Sequence, residues 1–555
     1  MEKILDAIQQ GSWEEALGLF LEYTKIHDLN EELCVVGATI LEQFDESDEF
    51  YSMIQSGLRF NLFNYELYLL LGNYYSRTNP KQALLTYKQA LYYAEKSGNE
   101  DDTAVIRQMY EDYVKESGAE PVKTTVLVVA DDDKKCLEEC LASIDENCNR
   151  DDADVQVVTV NDVSERTLKI NEAVSKLPAG NDLFILAGDV VLTPNALYNL
   201  QIELYSQDEI GAAGCISNYA FYHQVPVNCG VKTPKGAVNY ATINNYPRKG
   251  AIEIKAAVDG AFVLIKREVV DIVFPLSTDF VSEGYTNIDL GLRIVEAGYK
   301  NAVCWNSFVF RYRRYDVRVK DLAFKEEEAK KTREKWGFSP EYYLNTRFEL
   351  AEKIARDKAD SLDVLEVGAG LGSTLARIEY MFPGARVHGI EIVDAVADFA
   401  SKYTDMKCAN IETYEFAEGE MYDYIIFGDV LEHLVDPYKL VDRLKNNLKP
   451  GGCIIASIPN ILNANVIYEL LRGNFSYQDA GILDRTHLRF FTKNEVIKLF
   501  QERGYEIIDM EGSFWPSEST AAHKEFFDKL LAIDGVVDKS EFEIIQYLVC
   551  AQKKR

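Results

Sequence analysis

The stretch SLDVLEVGAGLGSTLARIEY, at residues 361–380, decides the fold of the last third of the chain. It begins with a run of apolar residues that is typical of a buried parallel strand, and a helical pattern follows from Ser373. Gly368, Gly370 and Gly372 lie between them. A strand that passes through glycines into a helix lets backbone N–H groups approach a ligand closely. The stretch therefore predicts a ligand-binding turn in an α/β domain.

The position of the third glycine separates two classes of cofactor. A dinucleotide fingerprint needs that glycine at position 373, which is Ser373. In this chain it is Gly372, and Glu366 is an acidic residue near the end of the strand. The next predicted strand ends in Glu391, 21 residues beyond Gly370. A carboxylate at that place can accept hydrogen bonds from ribose hydroxyls.

Three further motifs follow in the same third of the chain: YDYIIFGDVLEHLVDP at 422–437, LKPGG at 448–452 and DRTHLRFFT at 484–492. Together with the glycine turn, this set resembles the class I S-adenosylmethionine-dependent methyltransferases over residues 345–555. The resemblance implies a Rossmann-like fold with S-adenosyl-L-methionine as cofactor. It implies that the cofactor is bound by Glu366, Gly368 and Gly370 at the methionine moiety, Glu391 at the ribose, Asn410 and Glu412 near the adenine, and Asp429 and His433 at the mouth.

Methyl transfer to a hydroxyl group also needs a base that removes a proton. His487 lies in the polar loop of the last motif and is the predicted base, with Asp429 counted beside it at the catalytic site. The alternative is that His487 only forms hydrogen bonds within its own loop. For His433 a structural role is favoured over a catalytic one.

The central part of the chain, residues 122–315, also alternates between strand and helix patterns. Its apolar runs TTVLVVA and DVQVVTV are each followed by a helical stretch, and the run DLFILA is a third strand. This alternation predicts a second α/β domain with a parallel sheet. A charged helical linker is predicted at 316–344.

Four motifs of this central domain resemble the family 2 glycosyltransferases of the GT-A type: NDVS at 161–164, AGDVVLTP at 187–194, VDGAFVLIKREV at 258–269 and NIDLGLRIVEAGYK at 287–300. The resemblance implies a nucleotide-sugar donor bound by Asp162. It also implies that Asp189 holds a divalent metal, manganese or magnesium, on the donor diphosphate.

The central domain departs from that family at three positions. Ala187 stands where the first carboxylate of the metal motif belongs, and Asn287 stands where the carboxylate that supplies the catalytic base belongs. Arg311 aligns with the histidine that completes the metal site. One interpretation is a metal-independent, inverting transferase in which Arg311 and its neighbouring arginines neutralise the diphosphate and Glu283 or Asp289 is the base. The other is a sugar-binding fold without activity.

Residues 1–118 carry apolar residues at helical spacing throughout. Within 65–92 the spacing of small and aromatic residues resembles a degenerate tetratricopeptide repeat: Tyr68, Leu71, Gly72 and Tyr75, then Ala83, Tyr87 and Ala90. Such repeats form a concave surface that binds peptides. A helical cap that only stabilises its neighbour is an equally weighted alternative.

The composition of the 555 residues limits the partners of the protein. The chain is 47% hydrophobic and 27% charged, and its formal net charge is −31. That charge disfavours nucleic acid and anionic membranes as partners. No signal peptide, transmembrane segment or Cys-x-x-Cys pair is recognised among its residues, which predicts a soluble cytoplasmic protein with ten reduced cysteines.

The predicted architecture is therefore an all-α helical repeat followed by two α/β domains. The leading hypothesis is a bifunctional bacterial enzyme that glycosylates a protein, such as flagellin, and O-methylates the glycan. The helical repeats would present the protein acceptor. A second hypothesis places both activities on a surface polysaccharide or lipid-linked glycan, with the helices serving a homodimer. A third keeps only methylation, with the other domains as recruitment modules.

Overall fold

A computed structural model describes residues 1–44, 47–221, 224–226, 229–312, 319–514, 523–533, 535, 537 and 539–554. The chain forms two compact units, Met1–Ser339 and Pro340–Arg555. The segment predicted as a linker, 316–344, is divided between the two units. Across the described parts of the chain, no helix combines the length and the apolar character that crossing a bilayer requires.

The first unit begins with seven helices: α1 (Glu2–Gln9), α2 (Trp13–Thr24), α3 (Glu31–Leu41), α4 (Ser47–Phe60), α5 (Tyr65–Ser76), α6 (Pro80–Ser97) and α7 (Glu100–Ser117). Four of them begin at an asparagine whose side chain accepts a hydrogen bond from the backbone N–H three residues later: Asn30, Asn64, Asn79 and Asn99. Helices α5 and α6 pack closely because Gly72 leaves room for the ring of Tyr87. A Cβ atom at Gly72 would lie 2.4 Å from that ring.

The rest of the first unit is an eight-stranded sheet with its covering helices. The strands are β1 (Thr124–Ala130), β2 (Ala153–Thr159), β3 (Asp182–Ala187), β4 (Val190–Val191), β5 (Ile210–Ser217), β6 (Ile252–Lys255), β7 (Phe262–Ile265) and β8 (Lys300–Arg311). The helices are α8 (Lys134–Asn147), α9 (Arg166–Val174), α10 (Ala196–Leu204), α11 (Pro234–Asn244), α12 (Arg267–Val273), α13 (Glu283–Glu296) and α14 (Val319–Trp336).

The strand order is β2-β1-β3-β7-β5-β8-β4, with β6 paired to β8. Strands β2, β1 and β3 are parallel, as the alternating pattern predicts, and so are β5 and β8. The prediction of a wholly parallel sheet is wrong, because β7 runs antiparallel to both β3 and β5. A strand that is apolar on both faces carries no sign of its direction, so the sequence of β7 does not reveal this.

The helical region and the sheet share a hydrophobic core. Tyr198 and Ile202 of α10 belong to the cluster that is formed mainly by helices α3 to α7. The side chain of Asn195, just before α10, donates to Tyr68 and accepts from Tyr93. Gln82 of α6 donates to the carbonyl of Ile202 at 2.9 Å. This face of α6 is therefore covered by the sheet domain.

Two glycines of α13 provide a matched test of this packing. A Cβ atom at Gly291 would lie 2.6 Å from the backbone Cα of Ala257, whereas one at Gly284 would meet nothing within 4 Å. We expect Gly291→Ala to destabilise the first unit by about 1–3 kcal/mol through overpacking. Gly284→Ala should be neutral or stabilising by up to about 1 kcal/mol. Urea unfolding that shows equal effects for the two variants would contradict this packing.

The second unit is a seven-stranded sheet. Its strands are β9 (Asp363–Val367), β10 (Arg386–Glu391), β11 (Met406–Cys408), β12 (Tyr422–Gly428), β13 (Leu448–Pro459), β14 (Tyr505–Ser513) and β15 (Gln546–Lys553). Its helices are α15 (Pro340–Tyr343), α16 (Phe348–Ala351), α17 (Ser373–Met381), α18 (Asp394–Ala400), α19 (Pro437–Leu444), α20 (Ala464–Leu471), α21 (Lys493–Gln501), α22 (Lys524–Leu531) and α23 (Lys539–Glu543).

The order of this sheet is β11-β10-β9-β12-β13-β15-β14. The first five strands are parallel, and β15 runs antiparallel to both β13 and β14. The chain begins at the centre with β9, moves to one edge and then crosses to β12. This is a Rossmann-like order with a switch point between β9 and β12. Ligands of such sheets bind at the carboxyl ends of the strands around that point.

Candidate functional site

The turn between β9 and α17 has the backbone conformation that only glycine adopts readily. Gly368, Gly370 and Gly372 have φ values of 71°, 54° and 70°. A Cβ atom at Gly368 would also lie 2.6 Å from the Val430 side chain. The turn therefore combines two features that the sequence predicts, a backbone that a ligand can approach closely and the start of a helix.

Glu391, at the end of β10, is buried and connects the neighbouring strand to the glycine turn. Its Oε2 accepts a hydrogen bond from the N–H of Gly370 at 3.0 Å. Its Oε1 accepts from the N–H groups of Ile392 and Val393 at 2.8 and 2.9 Å. A carboxylate has about four lone-pair positions, so one of those on Oε2 is left to accept a hydroxyl.

The loop that begins at Asn410 lies beyond β11, at the same edge of the sheet. The Asn410 side chain accepts from the N–H of Glu412 at 2.9 Å, which forms a tight turn. Arg443 of α19 donates to the carbonyl of Glu412 at 3.1 Å. The turn is thereby fixed in place, while Asn410 itself is exposed to solvent.

A charged network closes the other side of the glycine turn. Asp429 follows β12 with a φ of 54°, which is rare for a residue other than glycine. Arg347 donates to Asp429 Oδ2 at 2.6 Å and to Ser457 Oγ at 3.0 Å. Ser457 in turn donates to Asp429 Oδ1 at 2.7 Å. The left-handed backbone of Asp429 is held by these contacts, as is common at functional sites.

The sequence motifs do not point to three residues that the structure places at this site: Arg347, Ser457 and Tyr343. The carbonyl of Tyr343 accepts from the N–H of Leu371, within the glycine turn, at 3.2 Å. Glu366, expected at the methionine moiety, is buried in β9. The missed residues lie before the first strand or at the end of a later one, and no local pattern marks them.

His433, expected at the mouth, and His487, the expected base, lie close together beside Glu432. His433 and the neighbouring Glu432 lie in a short 3-10 turn after Asp429. His487 reaches the same place from the loop before α21, and its ring lies 4.7 Å from that of His433. Burial lowers the pKa of His487 below its usual value, which favours the neutral form of the ring.

In the first unit, Arg311 gathers three carboxylates at the carboxyl ends of the strands. Its side chain is only 1% exposed and donates to Glu283 at 2.8 Å and to Asp189 at 3.3 Å. The carboxylate of Asp259 lies 3.8 Å away. Burial raises the pKa of Asp259 to about 6, with Arg311 opposing the shift. Asp259 is absent from the sequence prediction, although it lies within the quoted motif VDGAFVLIKREV.

This arrangement differs from the expected role of Arg311. Its guanidinium is enclosed by carboxylates and offsets part of their charge, so it is not presented to a diphosphate. It also lies beside Asp189, where a metal ion was expected. Its neighbours Arg313 and Arg314 lie outside the described residues.

Two other residues predicted to act in the sugar-transfer site of the first unit make their described contacts outside the Arg311 cluster. Asp289, the alternative base, is buried and accepts from Lys335 at 2.5 Å and from the Trp336 ring at 3.2 Å. Asp162 accepts from the N–H and the hydroxyl of Ser164 and begins a 3-10 turn after β2. Of the two candidate bases, only Glu283 joins the Arg311 cluster.

Known methyltransferases are similar to a region of the chain that includes most of the second unit. Residues 320–510, about a third of the chain, match the model of the family described as Methyltransferase domain. The ubiquinone biosynthesis O-methyltransferase of Dinoroseobacter shibae is 26% identical over 160 residues, covering 27% of this chain and 62% of that protein. A probable S-adenosylmethionine-dependent methyltransferase of Mycolicibacterium smegmatis is 27% identical over 181 residues, covering 32% and 65%. The match thus spans under two thirds of these relatives.

Among solved structures, the plantazolicin methyltransferase BpumL in complex with SAH is 17% identical, with a TM-score of 0.27. The match covers 44% of this chain and 92% of that one. A putative methyltransferase of Bacillus halodurans is 16% identical with a TM-score of 0.26, covering 38% and 98%.

Proposed function

We propose that the second unit is an S-adenosylmethionine-dependent O-methyltransferase. The observation that carries the proposal is Glu391, which is tied to the N–H of Gly370 and keeps a lone pair for a ribose hydroxyl. The family match over residues 320–510 supports the same reaction class. Residues Gly368 and Gly370 would lie against the methionine moiety, and the Asn410 loop would flank the adenine.

Methyl transfer requires mainly that the acceptor oxygen is aligned with the methyl group, because the thioether that leaves the sulfonium is already a good leaving group. The acceptor oxygen forms a bond to the methyl carbon, and the bond from that carbon to sulfur breaks. The electron pair stays on sulfur, and the acceptor's proton passes to solvent. The network of Arg347, Asp429 and Ser457 would fix the wall beside the reacting atoms, which supplies the orientation on which the rate depends.

For the acceptor we propose a hydroxyl on a ring, with a glycan as the first choice. Exposed apolar side chains lie in the loop that carries His487, namely Phe475, Tyr477, Leu488 and Phe490. Such side chains favour a ring that presents an apolar face. A glycan on a surface protein such as flagellin, a surface polysaccharide and a lipid-linked glycan all meet this description.

Methyl transfer is tested with isotopically labelled S-adenosylmethionine and a panel of acceptors. The panel contains free sugars, nucleotide sugars, glycosylated protein and a phenolic ring, and the products are identified by mass. We expect labelled product from at least one acceptor with the wild-type chain and none with Gly368→Arg, which fills the turn. Equal label with both chains would contradict the assignment of the turn.

We propose a nucleotide-sugar site in the first unit as a second function. It is favoured by the cluster of Asp189, Asp259, Glu283 and Arg311, because clusters of buried charged groups in which burial raises the pKa of a carboxyl, as at Asp259, are frequent at functional sites. Glu283 is the base we propose. Arg311 occupies the place beside Asp189 that a metal ion would take, where it offsets the charge of the carboxylates and does not contact the diphosphate itself. An inactive sugar-binding fold is the alternative.

The second function is tested by measuring sugar transfer and donor hydrolysis with a panel of labelled nucleotide sugars. We expect turnover that EDTA leaves unchanged and that added manganese does not raise, because the guanidinium already occupies the place beside Asp189. Strict dependence on manganese would contradict this role of Arg311. Binding of a donor without turnover would support the inactive fold.

For the helical region, helices α1 to α7, we propose that the main role is to cap and stabilise the neighbouring sheet domain, and that binding of a peptide is secondary. The face of α6 around Gln82 is covered by α10, so it is closed to peptides. Apolar residues at the far end, Leu21, Ile26 and Leu29, are exposed and leave a smaller surface for an acceptor protein. Crosslinking of acceptor protein to this end of the full chain would support recruitment.

A further inference from the structure

Glu432 of the second unit is a buried acid whose carboxylate accepts no hydrogen bond from the residues that the structure describes. Its exposed fraction is 0%. Its backbone carbonyl, in contrast, accepts from the N–H groups of Leu488 and Arg489 at 2.8 and 3.0 Å. A buried carboxylate in this state costs several kcal/mol unless a proton or a cation joins it.

Two histidines face this acid. One ligand atom each from Glu432, His433 and His487 lies within 4.8 Å of the others. The Nε2 atom of His487 is 3.9 Å from Glu432 Oε1. A cation placed among three such atoms would need only small side-chain movements to reach bonding distances of about 2.0–2.2 Å.

In both histidine rings, the hydrogen bond at Nδ1 leaves Nε2 with the lone pair that a metal ion requires. His487 Nδ1 is 2.9 Å from the carbonyl of Ile482, which accepts only, so that nitrogen carries the proton and Nε2 has the lone pair. His433 Nδ1 is 3.1 Å from Thr486 Oγ1, whose own proton goes to Asp484. The same tautomer therefore follows for His433. Partners that orient a histidine through its other nitrogen are typical of metal ligands.

We propose that Glu432, His433 and His487 bind one divalent transition-metal cation of the zinc class, with a further position open to the acceptor oxygen. Two imidazoles and one carboxylate are a donor set that zinc uses at catalytic sites with an open position. A hydroxyl that binds there becomes more acidic, and its charge as an oxyanion is stabilised.

The place of this cluster fits the methyl-transfer site. Val430 lies two residues before Glu432, and its side chain would be 2.6 Å from a Cβ atom at Gly368 of the cofactor turn. The cation would thus lie at the mouth where a methyl acceptor must arrive. This part of the inference rests on the proposed methyltransferase function, whereas binding of the metal does not. His487, expected as the base, becomes a ligand in this account.

The test uses the full chain without an affinity tag, stripped with EDTA and reloaded with zinc chloride. Metal retained after gel filtration is measured by mass spectrometry, and SAH binding is measured by calorimetry on the same sample. We expect one zinc per chain, and a loss of affinity of at least about tenfold in His433→Ala and in Glu432→Gln. The fold of His433→Ala, which alters a half-buried side chain, is checked by circular dichroism, and its spectrum should match that of the wild-type chain.

The matched control is His388→Ala. This histidine of β10 pairs with Asp405 at 2.6 Å and is absent from the cluster, so its loss should leave zinc binding unchanged. Cobalt loading of the wild-type chain gives a second measurement that needs no variant. We expect visible absorption bands without the charge-transfer band of a thiolate ligand.

The outcomes separate the two proposals. A wild-type chain that retains no zinc, an equal loss in His388→Ala, or a thiolate spectrum would overturn the metal site. Retained zinc without any SAH binding would leave the metal site intact and contradict the methyltransferase proposal.

Discussion

Replacing Glu391 by alanine should lower the affinity for S-adenosylmethionine at least about 100-fold, which is about 2.7 kcal/mol. The carboxylate is buried and accepts three backbone N–H groups, including that of Gly370. Its removal leaves these donors without their partner and also removes the charge-assisted bond that we propose to the ribose, worth about 1.5–3 kcal/mol. The measurement is isothermal titration of the full chain with the cofactor.

Asp398→Ala is the matched control for this prediction. Asp398 is an exposed carboxylate on α18, the helix that follows Glu391. We expect its loss to change the affinity less than twofold, since surface substitutions change a free energy by under about 0.5 kcal/mol. Similar affinities for the Glu391→Ala and Asp398→Ala chains would show that the cofactor does not use this turn.

The second large effect is expected at Arg311. Arg311→Met leaves Asp189, Asp259 and Glu283 without their shared cation in a buried place. Removing one partner of a buried ion pair costs about 3–5 kcal/mol. Urea unfolding followed by tryptophan fluorescence measures this loss, because Trp13, Trp305 and Trp336 all lie in the first unit.

The loss of unfolding free energy caused by Arg311→Met should grow as the pH rises. The pKa of Asp259 is raised to about 6 in the folded state, so the folded chain binds the extra proton between about pH 4 and 6. Stability contributed by this group therefore falls as the pH rises through that range. Without Arg311 the folded pKa rises further, and the range extends upward. The variant should be closer to wild type at pH 5 than at pH 8.

Two variants control the Arg311 prediction. Arg150→Met breaks a surface pair with Asp145 that is 3.1 Å long and well exposed, and it should cost less than about 1 kcal/mol. Adding Asp259→Asn to Arg311→Met should restore part of the lost stability, because one uncompensated charge is removed. A pH-independent loss, or no recovery in the double variant, would contradict the described cluster.

Local patterns in the sequence predict the main strands of both sheets. The run before Gly368 is strand β9, and the glycines that follow have positive φ, because the spacing of strand, glycine and helix is itself a local pattern. Glu391 is equally visible, since it ends the next apolar run. The structure places it in contact with the turn through the parallel pairing of β9 and β10.

Contacts between distant segments are not visible in this way. Arg347 reaches Ser457, 110 residues later, and no spacing rule connects them. Asp259 meets Arg311 only because β7 and β8 lie on either side of β5. The direction of β7 is likewise set by its neighbours, since a fully buried strand has the same apolar pattern in both orientations. These features depend on tertiary structure and need coordinates.

The central claim is that the second unit binds S-adenosylmethionine. The most direct measurement is calorimetric titration of the wild-type full chain with S-adenosylmethionine and, separately, with SAH. The account predicts one saturable site per chain for each compound, with binding abolished or greatly weakened by Gly368→Arg. Absence of saturable binding for both compounds in a folded wild-type chain would contradict it.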